Sequence, residues 1–384
     1  MHTPILLARS VVFLLPLAYA AALRAEAPPT EPPSRATAVA GRPLVGAIRW
    51  DAWHGDQGSP GKAVERSLGP RAWHYRVPFF GTIVSDSTVQ IAGYSQTIMD
   101  QEIAYAKQGG LDYWAFLLYS PHDPMSQALE FYLKSGHKRD VNFCAISNLP
   151  FPGEKQDRLQ GARIVKLMQE PGYQKVLRDR PLLYIYLPYS ASASTARNAT
   201  SIRPFLDSFR QAAKRAGLGN PYIVIMCPIP GTAKTVADAL GCDAISAYAT
   251  SGQARATPYA LLAQHAEGFW EQCRATGAKV VPIVMAGWDR RPRIEHPVPW
   301  EPYQKPGVGM DRYYQTATPR EIRAHMESAL CWVQHNPEAA DSRAIIIYAW
   351  NENDEGGWLV PTLSEGTARL DALRGVLHPS GNVR

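Results

Sequence analysis

The chain is poor in several features that would direct its reading elsewhere. Its five cysteines, at positions 144, 227, 242, 273 and 331, are too scattered to form a dense disulfide framework. None belongs to a CxxC pair or to a Cys/His ligand spacing, so a zinc site is not indicated. No glycine-rich phosphate fingerprint follows the first strand-like segment, which removes the usual signal for a bound dinucleotide. The net charge is +6, yet the basic residues are dispersed rather than gathered in a run. That is the pattern of a solvated surface and not of a nucleic-acid groove. Beyond the N-terminal segment, no stretch has the length and apolar character of a membrane span.

What the chain does have begins with an export signal. Arg9 supplies a positive n-region, residues 11–23 are apolar apart from the Pro16 interruption, and Ala25-Glu26-Ala27 offers a small-x-small cleavage site. The apolar run is short for a bilayer, so removal is expected, with an uncleaved anchor as the alternative. The first cysteine is Cys144, which argues against a lipidated anchor. The expected organisation is a signal peptide over 1–27, a Pro/Ala-rich linker over 28–42 and one large domain over 43–384. Localisation would then be secreted or periplasmic, with no membrane partner after cleavage.

From Pro43 onward, short apolar runs alternate with longer amphipathic ones. Strands are expected at 44–49, 113–118, 142–147, 182–187, 222–227, 244–248, 280–285 and 344–348. The intervening segments carry helical periodicity. Ile202, Phe205, Leu206, Phe209, Ala213 and Ala216 make one apolar face, and Gly217 follows as a stop. Thr318-Pro319-Arg320-Glu321 reads as a capping box with proline at the first helical position. Eight strand–helix units predict an α/β fold of (β/α)8 TIM-barrel type in a single domain, an open doubly wound sheet being the alternative. Two connections stand out for length, 50–93 after the first strand and 286–318 after the seventh. Both leave strand carboxyl ends, where barrel enzymes build their sites.

The last strand runs into Trp350-Asn351-Glu352-Asn353-Asp354-Glu355. Carboxylates at the end of a buried strand are costly unless they pair or work, and glycosidic cleavage needs two of them. Glu352 and Glu355 are therefore the catalytic candidates, against the plainer reading of an acidic loop tip. Seven of the ten tryptophans (Trp50, Trp53, Trp73, Trp288, Trp300, Trp350 and Trp358) fall at strand ends or in the loops beyond them. Flat aromatic faces pack on sugar C–H faces, so the clustering suggests an oligo- or polysaccharide partner. Candidate substrate-binding residues are Trp50, Asp51, Trp53, His54, Tyr248, Trp288, Asp289, Arg291, Asn351 and Trp358. For Asp51, His54, Arg290 and Arg293 a salt-bridged structural role is an equal alternative. Trp50, Trp288 and Trp358 are expected to wall one pocket around the two glutamates.

These segments together resemble glycoside hydrolase family 99 and its 71/99-like, WbsX-like barrel relatives. The resemblance covers nearly the whole domain. It is carried by Trp73-His74-Tyr75-Arg76-Val77-Pro78-Phe79-Phe80-Gly81, by Gln101 to Tyr119 with Gly110-Leu111-Asp112-Tyr113-Trp114, by Gly287-Trp288-Asp289 with Arg291-Pro292-Arg293, and by Asn351-Glu352 to Pro361-Thr362. It implies a (β/α)8 barrel without metal or other cofactor, acting in its founding members on mannose-containing α-glycans. It implies that Glu355 is the general acid/base and that Glu352 deprotonates the substrate's own 2-hydroxyl, giving a 1,2-anhydro sugar. On that basis Glu355 is expected in a partly apolar pocket that keeps it protonated, and Glu352 is expected ionised. The chain departs from the family pattern at Asn353-Asp354, which adds a third carboxylate able to raise a neighbour's pKa. The expected function is a metal-independent, retaining glycoside hydrolase. A non-catalytic carbohydrate-binding barrel and a factor in surface-polysaccharide assembly are the alternatives.

Overall fold

The computed structural model describes residues 41–54, 59–148, 155–252 and 254–378. The expected signal peptide and the linker up to residue 40 lie outside the described residues. Arg42, assigned above to the linker, already pairs with Asp112 at the foot of the domain at 2.5 Å.

Eight parallel strands form the core: β1 (Leu44–Arg49), β2 (Tyr113–Leu117), β3 (Asn142–Asn148), β4 (Arg180–Tyr186), β5 (Tyr222–Met226), β6 (Ala244–Ser246), β7 and β8 (Ala344–Tyr348). β7 is in two pieces, Lys279–Val280 and Ile283–Met285. Its first piece pairs with β6 (Lys279 opposite Ala244) and its second with β8 (Ile283 opposite Ile346). The sheet is therefore nine parallel segments long, and the two outermost belong to one strand. That closes the barrel. Pro282 lacks an N–H, so the ladder changes partner there. Val281 N donates to Ile245 O at 3.0 Å, and Ile346 N donates to Pro282 O at 3.1 Å. β1 pairs with β8 and β2, which sets strands one, seven and eight side by side.

Side chains fill the interior as in a packed barrel. A Cβ at Gly46 would sit 2.3 Å from the Tyr113 ring, so the glycine is what admits that ring. The Tyr113 hydroxyl meets that of Tyr184 at 2.9 Å and donates to Ile345 O at 3.0 Å. The five cysteines are free thiols, of which Cys144, Cys227 and Cys273 are buried. Among the described residues no helix is long and apolar enough to cross a membrane.

The two long connections are not bare loops. The first contains a helix (Ser59–Leu68), a 3-10 turn (Arg71–Arg76) and a hairpin (Gly81–Ser85 with Thr88–Ile91). The second contains a short helix (Arg291–Glu295). Trp50, Trp53, Val64, Leu68, Trp73, Val77 and Val89 give the first its own apolar core. Both connections lie over the carboxyl ends of the strands and join the segment after β8. Phe79 N donates to Pro361 O at 2.8 Å, and Asp289 N donates to Glu355 O at 2.7 Å.

Candidate active site

Beyond β8 the backbone makes a tight hairpin. Asn351–Glu352 pairs antiparallel with Gly357–Trp358 around the turn Asn353–Glu355. Gly356 ends that turn at φ +87°, where a Cβ would meet Asp289 N at 2.6 Å. Gly287 faces it at φ +157°, its hypothetical Cβ only 2.0 Å from Gly356 O. Two glycines thus let the ends of β7 and β8 touch, and the helix after β7 is brought onto the acidic turn.

The contact is electrostatic. Glu352, Asp354 and Glu355 are all buried, and three buried carboxylates so close are untenable without cations or a proton. Arg293 is the main counter-charge. Its Nε and Nη2 grip Asp354 at 2.7 and 3.1 Å, Nη2 reaches Glu352 at 3.3 Å, and Nη1 reaches Glu355 at 2.5 Å. The guanidinium lies 4.9 Å from the Trp50 ring and 5.6 Å from that of Trp300. Arg290 donates to Glu355 at 3.0 Å and also binds buried Glu301. The Tyr248 hydroxyl donates to Glu352 at 2.8 Å, and the Tyr348 hydroxyl donates to Glu355.

These partners divide the two glutamates. Burial raises both. For Glu352 the neighbouring charge of Glu355 adds to burial, Asp354 adds further, and one long guanidinium contact does not offset them, so its carboxyl is held well above the usual range. For Glu355 burial is outweighed by Arg293, Arg290 and the Tyr348 hydrogen bond, so its carboxyl is held below the usual range. This reverses the expected order. The apolar pocket foreseen for Glu355 is instead a cradle of two arginines and a phenol, whereas Glu352 has one long guanidinium contact and one phenol. The third carboxylate does raise its neighbour, as Asn353-Asp354 suggested, but it ranks behind burial and Glu355.

The model of the family described as "Glycosyltransferase WbsX" matches residues 151–373. The chain belongs to that family. Its fold is similar to that of the GH99 endo-alpha-mannosidase from Bacteroides thetaiotaomicron, with a TM-score of 0.56 over 87% of this chain and 97% of that one, at 12% identity. The same enzyme in complex with BIS-TRIS-Propane gives a TM-score of 0.55 at 12% identity, with the same coverage of 87% and 97%. At that identity the likeness carries the barrel fold. "Uncharacterized protein WxcX" from Xanthomonas campestris pv. campestris (strain B100) is 27% identical over 240 residues, 58% of this chain. The matched stretch spans only 30% of that relative's length.

In this WbsX-family barrel the other candidate residues fall into three groups. Tyr248 binds Glu352 directly, and Trp50 and Trp288 touch groups that hold the glutamate pair. Trp50 packs on Arg293 and donates from its indole to Tyr119 at 2.9 Å, while Trp288 lies 5.6 Å from the Tyr348 ring. Asn351, Asp51 and His54 form a support beneath it. Asn351 accepts from Trp50 N at 2.9 Å and donates to Asp51 at 3.0 Å. Asp51 takes Arg49 at 2.8 Å, and Arg49 also holds Glu102, which accepts from Trp350 at 2.7 Å and meets His54 at 2.7 Å. Glu102 is fully buried, yet Arg49 and His54 overcome that burial and hold its carboxyl down at about 2. Asp289 and Arg291 make a third group with Arg76. Asp289 binds both arginines, and Arg291 stacks 3.4 Å from the centre of the Tyr313 ring.

Two candidate tryptophans are held in other surroundings: Trp53, expected to bind substrate, and Trp358, expected in the shared wall. Trp53 is buried against Phe80 in the core of the first connection. Trp358 is buried beside Tyr75, with the guanidiniums of Arg369 and Arg76 over its ring at 3.7 and 5.6 Å. Neither indole faces the pair, because the capping elements supply apolar and cationic partners that pull them aside. Conversely, sequence reasoning does not reach Glu301 or Tyr348, and it weighs Arg290 and Arg293 equally as ligands and as structural braces. The arginines were visible in the Trp288 to Arg293 stretch as possible braces, whereas nothing local marks Glu301.

Proposed function

We propose that this WbsX-family barrel is an exported glycoside hydrolase, retaining in stereochemistry, that cleaves glycosidic bonds of an extracellular or periplasmic glycan with Glu352 and Glu355. The observation that carries this reading is the unequal pairing of two buried carboxylates close enough to share one guanidinium, Glu355 held tightly and Glu352 loosely. A pair whose environments push their pKa values apart has a proton donor and an ionised partner ready together. Glu352 would protonate the departing glycosidic oxygen, its proton lying on a carboxyl that burial and Glu355 keep from ionising. Glu355, held as an anion, would take the basic or nucleophilic part. Tyr248 and Arg293 would orient Glu352, with Trp50 and Trp288 as sugar platforms. An α-mannoside is the substrate favoured by the name of the structural neighbour.

The family's printed description raises a second reading, transfer from a nucleotide-activated sugar. Charge argues against it. Among the described residues, the ion pairs of Glu301, Glu352, Asp354 and Glu355 are with Arg290 and Arg293, so the cluster stays negative even with Glu352 protonated and would repel a diphosphate. The experiment is reducing-end release from a panel of neutral glycans, using protein recovered outside the cytoplasm with its N-terminus sequenced and the product anomer followed by NMR. The expected outcome is release with retained configuration by a chain that has lost residues 1–27. Sugar transfer from a nucleotide donor without hydrolysis would overturn the reading, and an inverted product would overturn its stereochemistry.

A further inference from the structure

Tyr186 closes β4 at the mouth of the barrel, in register with Asn148 of β3 and Met226 of β5. Its ring lies 5.3 Å from that of Tyr248, whose hydroxyl binds Glu352. It is only 6% exposed, and its hydroxyl has no hydrogen-bond partner among the described residues. The other tyrosines inside the barrel and at its mouth differ. Tyr113 and Tyr184 satisfy one another, Tyr119 accepts from Trp50, Tyr248 donates to Glu352 and Tyr348 donates to Glu355. An unsatisfied buried hydroxyl is destabilising, and folding alone gives no reason to keep it where phenylalanine would fit. Burial, reinforced by the charges of Glu355 and Glu352, holds the phenol well above its ordinary pKa, so it remains a neutral donor and acceptor.

We propose that the Tyr186 hydroxyl is a substrate-binding group, unpaired until a sugar hydroxyl reaches the space beside Glu352 and Glu355 and pairs with it. This rests on the reading of the site as a glycan site. It makes Tyr186 a specificity residue, because a site built to pair with a hydroxyl discriminates strongly against a sugar lacking it. The residue takes no part in bond breaking. Its loss weakens binding of ground state and transition state alike.

Two measurements on Tyr186→Phe test this. Without glycan, the variant should melt at the same temperature as the parent or higher, since the change deletes only the unpaired hydroxyl. With α-linked mannotetraose as the probe, calorimetry compares Glu352→Gln with Glu352→Gln/Tyr186→Phe, so that binding is read without turnover. The expected result is a Kd weakened about tenfold by loss of one buried hydrogen bond. Equal affinity in the two proteins, or a lower melting temperature for Tyr186→Phe, would overturn the proposal and make the hydroxyl structural. Absence of saturable mannotetraose binding in both proteins would instead count against the α-mannoside reading on which it stands.

Discussion

Arg293 decides the chemistry of the site. One guanidinium serves the three carboxylates of the turn after β8 and also reaches Glu301 at 3.5 Å, and it serves the turn unevenly: two contacts to Asp354, a close one to Glu355 and a long one to Glu352. The consequence for stability can be measured. Glu352 has a folded-state pKa above its ordinary value of 4.5, so the folded protein holds a proton that the unfolded chain releases as pH rises past that value. Its contribution to stability is therefore intact below pH 4.5 and is lost as pH climbs toward the raised folded pKa. Glu352→Gln removes that dependence. The variant should melt about 2 °C or more above the parent at neutral pH, with the gap closing toward pH 4. A calorimetric scan across pH checks this. A parent as stable as the variant at neutral pH would mean that Glu352 is ionised in the resting protein.

At the scale of elements, most of the barrel was legible. The expected strands 44–49 and 344–348 match β1 and β8, and the others differ by one or two residues at an end. They are apolar, often β-branched runs bounded by Gly, Pro, Asn or Asp, and burial on both faces leaves few other ways to use such a run. The break in β7 at Val281-Pro282 was not foreseen, because a proline's effect depends on which neighbour needs its missing N–H. Thr318 was legible for the opposite reason: its cap is wholly local. Its hydroxyl accepts from Glu321 N at 3.2 Å, and the Glu321 side chain accepts from Thr318 N at 2.9 Å. Thr318→Ala should cost about 1 kcal/mol in urea unfolding and leave glycan cleavage unchanged, since the side-chain bonds of the cap run between Thr318 and Glu321 and not to the acidic turn. A changed rate in that variant would tie the helix to the site. The site was half legible. Strand-end carboxylates and tryptophans declare themselves locally, but their protonation depends on arginines some sixty residues away in sequence.

At the scale of the molecule, closure of the barrel makes the site. β7 and β8 are neighbours, so the helix after one supplies the cations for the acidic turn after the other. β1 lies on the far side of β8 and contributes Trp50 together with the Arg49–Asp51–Asn351 support. A chain with net charge +6 thus carries an acid-rich mouth. Glu352 and Glu355 are proposed to break a glycosidic bond, with the proton on Glu352. The most direct test is kcat/KM for aryl glycosides of graded leaving-group acidity, measured for the parent, Glu352→Gln and Glu355→Gln. Glu352→Gln should fail on poor leaving groups and come within about tenfold of the parent on the best, which need no protonation. Glu355→Gln should lose about 10²–10⁴-fold throughout. The converse pattern would put the proton on Glu355, as the family resemblance implies. Equal and modest losses for both variants across the series would contradict the claim outright, leaving these carboxylates to position the sugar while the chemistry lies elsewhere.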